Sequence, residues 1–335
     1  MKNAVVMFGI LTLSLEGFSQ TSDSIPRRDS MNVQRRAQAF AADKFAIARP
    51  LNIEFVHVAP YSYNSDKDGK SFHEGRMTGF SQLKVSGSIN FVKKKNWALG
   101  ATLGYRYIAA GANVFDPFTG GQKPVDNDFH YLFSSISFSY FSTLFNKRVI
   151  YTSSLAVDGS GKQMERVKGL ITGTMILKAN QRTKMTAGIL VNIDPSAQIP
   201  VVPTFSYEHK FNNGFVADFV LPKNLYLRKY INSNARISLG SELDRTSFYL
   251  YNIDGTDQKY EYRQLDINSG ITFEHIIARQ FIFTAKTGMR FSTSGRLFRK
   301  EDSFNSPVFQ TRPAPAYYFN VGISFNPFTV LGKKK

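Results

Sequence analysis

A chain of 335 residues is long enough for one large domain or two ordinary ones, and this one has no cysteine, 30 Phe, 16 Tyr, one Trp and a formal net charge of +17. The missing cysteine excludes disulfide scaffolds, thiolate metal sites and Cys nucleophiles. After residue 15 no run of 18 or more apolar residues occurs, which excludes a membrane-spanning helix.

Lys2 precedes a short apolar core, AVVMFGILTLSL (4–15), followed by EGFSQ. That order, with small Gly17 and Ser19 just before Gln20, reads as a secretory signal peptide over residues 1–19 and marks the chain for export. An exported chain without a spanning helix is either soluble or crosses the membrane as a closed β-barrel. Residues 20–49 follow, and NVQRRAQAFAADKFA (32–46) has helix-like spacing without alternation. We read this segment as a periplasmic tail, with a short helix partly filling the lumen as the alternative.

From residue 50 the period changes to two. In SQLKVSGSINF (81–91), Leu83, Val85, Ile89 and Phe91 share one face, and Gln82, Lys84, Ser86, Ser88 and Asn90 the other. WALGATLGYRY (97–107) sets Trp97, Leu99, Leu103, Tyr105 and Tyr107 against Thr102 and Arg106. QLDINSGITFE (264–274) sets Leu265, Ile267, Ile271 and Phe273 against Asp266, Asn268 and Glu274. FIFTAKTGMRF (281–291) opposes Phe281, Phe283, Met289 and Phe291 to Lys286 and Arg290, and YFNVGISFN (318–326) repeats the scheme. Soluble sandwich strands run to about five or six residues, whereas these keep alternating for eleven or so, the length a tilted membrane strand needs. Aromatics at the segment ends (Trp97, Tyr105, Tyr107, Phe91, Tyr317, Phe325) suit interfacial girdles. The fold expected over residues 50–328 is therefore all-β, a transmembrane antiparallel up-and-down β-barrel.

Short polar turns fall at KKKN (93–96), NKR (146–148), NQR (180–182), NNG (212–214), NSN (232–234) and ARQ (278–280). Longer connections lie between them, at 60–75, 111–128, 158–163, 194–200, 221–224, 252–259 and 294–314. The alternation of short periplasmic turns with longer external loops predicts fourteen strands with both ends periplasmic. The weak member is NLYLRKYI (224–231); without it and one other, the count falls to twelve.

The signal peptide, tight Asn/Lys turns and final aromatic strand YYFNVGISFNPF (317–328) resemble outer-membrane β-barrel proteins of Bacteroidota-type bacteria. FVADFVLPKNLYLRKYINSNARISLG (215–240) is similar to an uncharacterised barrel family there, a domain of unknown function. The resemblance implies a fold and a location, the cell outer membrane. It brings no catalytic signature.

On the lumen-facing parity, Asp266 and Glu274 are flanked by Arg236, Glu242 and Asp244 on one side and by Lys286 and Arg290 on the other. Glu54, Lys84, Arg106, Lys168, Lys178, Glu208 and Asp218 fall on the lumen parity as well. Two readings of this charged wall stay open: ion pairs that hold the barrel closed, or a constriction that selects permeants. For catalysis, the five His are His57, His73, His130, His209 and His275, with His130 near Asp128 and Ser134. No G-x-S-x-G is present, and Glu208 and His209 point to opposite faces of a strand, so we expect no enzyme; a lipid hydrolase is the weaker alternative. NSDKDGKS (64–71), DGTDQ (254–258) and DPFTGG (116–121) read as loop tips, because none completes a calcium loop. No metal or cofactor is expected. The basic excess is dispersed, which fits rim contacts with outer-membrane lipids and lipopolysaccharide phosphates better than nucleic acid. The functional expectation is a passive pore or small-molecule transport barrel with a charged lumen. The alternative is a structural or surface-interaction barrel with a closed lumen and partner-binding loops.

Overall fold

The computed structural model describes residues 25–115, 121–194, 196–253, 255 and 257–328. The signal-peptide reading of residues 1–19, most of the 116–121 loop and the terminal Lys run lie outside them. A helix α1 (Ile25–Lys44) and a single 3-10 turn (Ala46–Ala48) lead into seventeen strands. In chain order these are β1 (Leu51–Val58), β2 (Tyr61–Lys67), β3 (Lys70–Ser71), β4 (Gly75–Lys93), β5 (Trp97–Phe115), β6 (Gln122–Leu144), β7 (Lys147–Ser160), β8 (Met164–Ala179) and β9 (Thr183–Ile193). They continue with β10 (Val201–Lys210), β11 (Phe215–Leu221), β12 (Asn224–Tyr230), β13 (Ala235–Tyr251), β14 (Lys259–Ile277), β15 (Phe281–Arg299), β16 (Phe309–Pro313) and β17 (Ala316–Phe325).

Fourteen of these are staves of one closed antiparallel barrel. The ring shuts where β1 pairs with β17, from Leu51 opposite Phe325 to Val58 opposite Tyr318. The other three strands belong to one end. There β16 pairs with β15 and with β2, and β2 returns to β4, so the wall continues past the closing seam. The doubtful segment 224–231 is a stave, since β12 pairs with β11 on one side and β13 on the other. All six short turns fall at the opposite end, which we call the turn end. At the loop end several expected loops are shorter than the sequence suggests. β5 and β6 remain paired up to Phe115 opposite Gln122, and only residues 222–223 separate β11 from β12.

The apolar parity faces outward. Leu103, Ile136, Leu155, Ile189, Leu239 and Ile271 are all exposed, as are Phe281, Phe283 and Phe291 on β15 and Phe319, Val321 and Ile323 on β17. At the turn end Trp97, Tyr140 and Tyr151 lie opposite one another in register across β5, β6 and β7. Farther along β5 toward the loop end, Tyr107 lies opposite His130. Ten residues separate Trp97 from Tyr107, which at strand rise and the usual barrel tilt gives a belt about 25 Å tall, matched to a bilayer core.

One feature bends the wall. Gly240, Gly270 and Gly288 lie opposite one another on β13, β14 and β15. A Cβ on Gly270 would sit 2.1 Å from the Thr287 carbonyl, and one on Gly288 would sit 2.0 Å from that of Ser269. Only glycine permits that approach at a tight corner. Beyond the row, β13 leans into the ring and meets β6 and β7, which are not its sheet neighbours.

Putting Arg at Ile271, mid-belt and outward, is expected to cost about 2–4 kcal/mol, read as a lowered denaturant midpoint of the folded barrel in lipid. A change of similar size at lumen-facing Asn268 is expected to cost clearly less.

Candidate functional site

The lumen is organised in layers from the turn end to the loop end. The first involves the N-terminal segment, and it departs from the tail reading. The C-terminal end of α1 is inserted among lumen charges. Lys44 Nζ lies 2.6 Å from Glu208 and 2.8 Å from Asp218. Asp43 accepts from Arg236 at 2.7 Å and lies 3.8 Å from Arg228. Arg49, just after the 3-10 turn, donates to the Ser324 hydroxyl at 2.9 Å and to the Ala42 carbonyl at 2.9 Å. Burial alone would raise the Asp43 carboxyl, but Arg236, Lys44 and Arg228 outweigh it and hold it well below the usual carboxylate range. Burial would lower Lys44, yet Asp43 and Asp218 hold it above the usual lysine value.

Around this anchor, Arg236 on β13 makes a two-armed contact with Glu274 on β14, at 2.5 and 3.0 Å. Arg228 on β12 pairs with Asp218 on β11 at 2.8 Å. Glu208 on β10 also receives Lys184 from β9 at 2.8 Å. Farther in, Lys286 on β15 reaches past β14 to Glu242 on β13 at 2.8 Å, and Lys84 on β4 crosses the lumen to Asp244 on β13 at 2.5 Å. Glu54 is held by Asn52 and Asn320, at 2.9 and 3.0 Å. Arg290 donates to Asn268 at 2.9 Å and stands 3.6 Å from Asp266. Arg106 donates to the Arg245 carbonyl rather than to an acid.

The loop end carries residues the sequence reading did not single out. Val58, Phe80, Ile108, Phe248, Ala316 and Tyr318 form a buried apolar cluster inside the ring, with Phe248 stacked on Phe129 at 4.1 Å. Beside it, Tyr131 and Tyr249 both donate to Asp158, at 2.6 and 2.8 Å, and Lys168 pairs with the same carboxylate at 2.5 Å. Arg263 binds Glu261 at 2.5 Å and the Ser196 carbonyl at 2.6 Å. Burial would raise Asp194 in the neighbouring loop, but the hydroxyl and backbone N–H of Ser196, with Arg263, lower it. Among the described residues the loop end of the lumen is therefore filled.

The turn end is not. A cavity of ≈ 1640 Å³ lies between α1 and the β4–β10 wall. Its wall mixes small polar residues, Ser139 from β6, Thr152 from β7, Thr172 and Thr174 from β8 and Thr186 from β9, with apolar ones such as Phe141, Ile150 and Ile176. Lys178, a predicted lumen charge, lines this cavity and sits apart from the ion-pair layers.

His130 and His57 both face outward from the wall. His130 bonds to Tyr105 at 2.8 Å on the outer face of the wall, on the same outward parity as Ser134. His57 contacts Ser81 at 2.9 Å, also outward, and its ring lies against Phe319. No carboxylate orients either ring among the described residues, and no group of acids and histidines there could hold a metal ion.

A family of domains of unknown function, DUF6268, matches residues 38–326. The chain belongs to that family. No curated protein matches it. Similar solved structures include an outer-membrane channel from Pseudomonas putida F1, 11% identical, with 82% of this chain and 95% of that one covered at a TM-score of 0.33. A Pseudomonas aeruginosa FadL homologue is 9% identical, with coverage of 87% and 92% and a TM-score of 0.32. The transport unit of the autotransporter AIDA-I from Escherichia coli is 10% identical, with coverage of 91% and 100% and a TM-score of 0.30. Likenesses of that size say nothing of activity, and the barrel is established by this chain's own closed ring of pairings.

Two outcomes are expected. Glu274→Gln leaves Arg236 with Asp43 as its one remaining carboxylate among the described residues, so the expected loss is below the about 3–5 kcal/mol of a fully unpaired buried charge, read as a lower temperature of heat-modifiable gel mobility. For α1, the sign follows from a depressed carboxyl: docking energy from Asp43 is fully present above the ordinary Asp value near ~3.9 and is lost only as pH falls through its lower folded value. Spin labels on Ala37→Cys and Asn180→Cys, in a chain without native cysteine, should report one short distance throughout the mildly acidic range. Lengthening by mid-acid pH would count against the assignment.

Proposed function

We propose that this DUF6268 barrel lies in the bacterial outer membrane, reached through its signal peptide, and is a gated conduit for small solutes. On this reading the turn end and the α1 vestibule face the periplasm. The single observation that carries it is the vestibule itself. A barrel serving only as scaffold has no need of a large cavity at one end of its lumen, whereas a solute path does. The path stops at Tyr131, Tyr249 and the Phe129–Phe248 stack, contributed where β13 leans across the ring. These contacts are side-chain contacts between non-neighbouring strands, so they can part without breaking a sheet ladder. They form the gate, and the ion pairs on either side of it hold the resting state. Basic side chains at the rims sit level with phosphates of the lipid and lipopolysaccharide headgroups and anchor the barrel at that depth.

A second reading has its own support. The buried apolar cluster around Phe248 packs like a core, which is what a closed structural barrel presenting its loops to a partner would have.

Planar-bilayer recordings separate the two. The wild-type barrel should show rare, brief openings, and Phe129→Ala/Phe248→Ala/Tyr249→Ala should conduct steadily. If the folded triple variant, with or without residues 25–44, stays silent at every voltage, the conduit reading fails and the structural one stands.

A further inference from the structure

We propose that the α1 vestibule is a binding site for small organic anions, the solute class of the conduit proposed above. The inference rests on that reading for its physiological role, but the site can be tested without any current.

Seven cationic side chains line the cavity: Arg35 and Arg36 of α1, Lys93, Arg148, Lys178, Lys184 and Lys210. Among the described residues two carboxylates join them, Asp43 and Glu208. Both are already engaged. Asp43 is taken by Arg236, Lys44 and Arg228, and Glu208 by Lys44 and Lys184. The remaining six cations have no carboxylate partner among the described residues.

That balance is local. Deeper in the lumen, large charges pair with opposite ones: Lys84 with Asp244, Lys286 with Glu242, Lys168 with Asp158 and Arg263 with Glu261. Rim cations on turns, such as Lys94 and Lys95, are an ordinary solvated edge. Lys93, Arg148, Lys178 and Lys210 are exposed as well, but they stand at the turn ends of four staves, β4, β7, β8 and β10, around one concavity. A cleft lined by one sign of charge with low-dielectric walls focuses its field and concentrates counter-ions.

The rest of the lining describes the counter-ion. The hydroxyls of Thr172 and Thr174 supply donors for anionic oxygens, those of Thr152 and Thr186 being shared with Ser139 and Ser206, and Phe40, Phe141 and Phe328 supply apolar surface. A bare inorganic ion would use the first set and waste the second. An organic anion with a ring or short chain uses both. The volume exceeds the few hundred to about 1,000 Å³ of ordinary ligand pockets, leaving room for a hydrated solute in transit.

The test is calorimetric titration of the full-length barrel in detergent at low ionic strength with isophthalate, an aromatic dicarboxylate, and with spermidine as a cation of similar length. Saturable isophthalate binding is expected, weakening as sodium chloride is added, with no binding of spermidine. Arg148→Gln/Lys178→Gln/Lys210→Gln, checked for folding by heat-modifiable mobility, should bind isophthalate at least about tenfold more weakly, roughly 1.4 kcal/mol. Arg148→Lys/Lys178→Arg/Lys210→Arg should restore it. Spermidine binding as tight as isophthalate, salt-independent binding, or a neutralised variant that binds like wild type overturns the proposal. A barrel that binds isophthalate yet never conducts instead refutes the conduit and leaves the anion site standing.

Discussion

Everything in this protein hangs on the closing seam between β1 and β17. In hydrocarbon an unpaired backbone N–H or C=O costs several kcal/mol, so a sheet can span a bilayer only if it has no edge. Eight consecutive residue pairs, from Leu51–Phe325 to Val58–Tyr318, remove the two edges at once. Once the ring is shut, each strand has one side toward lipid and one toward the interior. Its alternating side chains are then sorted without further instruction. The outward Leu, Ile, Phe and Tyr need no partner because the solvent is apolar there. The inward set does need partners, because the interior is too crowded to hydrate every charge.

Pairing inside the ring follows from that need. Neighbouring strands supply the short-range pairs, such as Arg236 with Glu274. The closed geometry also supplies pairs that no flat sheet has, such as Lys84 with Asp244 across the lumen. The N-terminal helix is drawn into the same scheme. Asp43 and Lys44 bring one charge of each sign to a layer where Arg228, Arg236, Glu208 and Asp218 converge, so the helix end docks without leaving net charge buried. Where partners run out, at the turn-end rim, the surplus among the described residues is cationic and surrounds a cavity.

The strand count, the six turns and the sorting of faces were legible because period-two alternation is a local property of the chain. The charges Arg236, Glu242, Asp244, Asp266, Glu274, Lys286 and Arg290 could be placed on the lumen side for the same reason. Their partners were less legible: Lys286 reaches Glu242 two strands away, and Arg106 meets a backbone carbonyl. The apolar cluster inside the loop end was missed because Val58, Phe80 and Ile108 sit on the parity otherwise given to polar residues. Runs such as FVHV (55–58) do show the alternation lapsing there, and that lapse was the available signal. Asp158 and Asp194 were missed because they lie in expected loops, and Glu261 and Arg263 because they share the odd parity of Leu265 and Ile267, read as lipid-facing, although both are buried.

By itself the sequence determined a membrane-type barrel of fourteen staves and the face on which each side chain falls, because side-chain direction in a strand depends only on odd or even position. Tertiary structure alone decided that α1 enters the lumen, that the in-register glycines let β13 lean across to β6 and β7, and that the interior is filled at one end and hollow at the other. Those outcomes depend on contacts between residues far apart in the chain, Lys44 with Glu208 or Phe129 with Phe248. No local pattern encodes which side chains meet across a ring until the ring has closed.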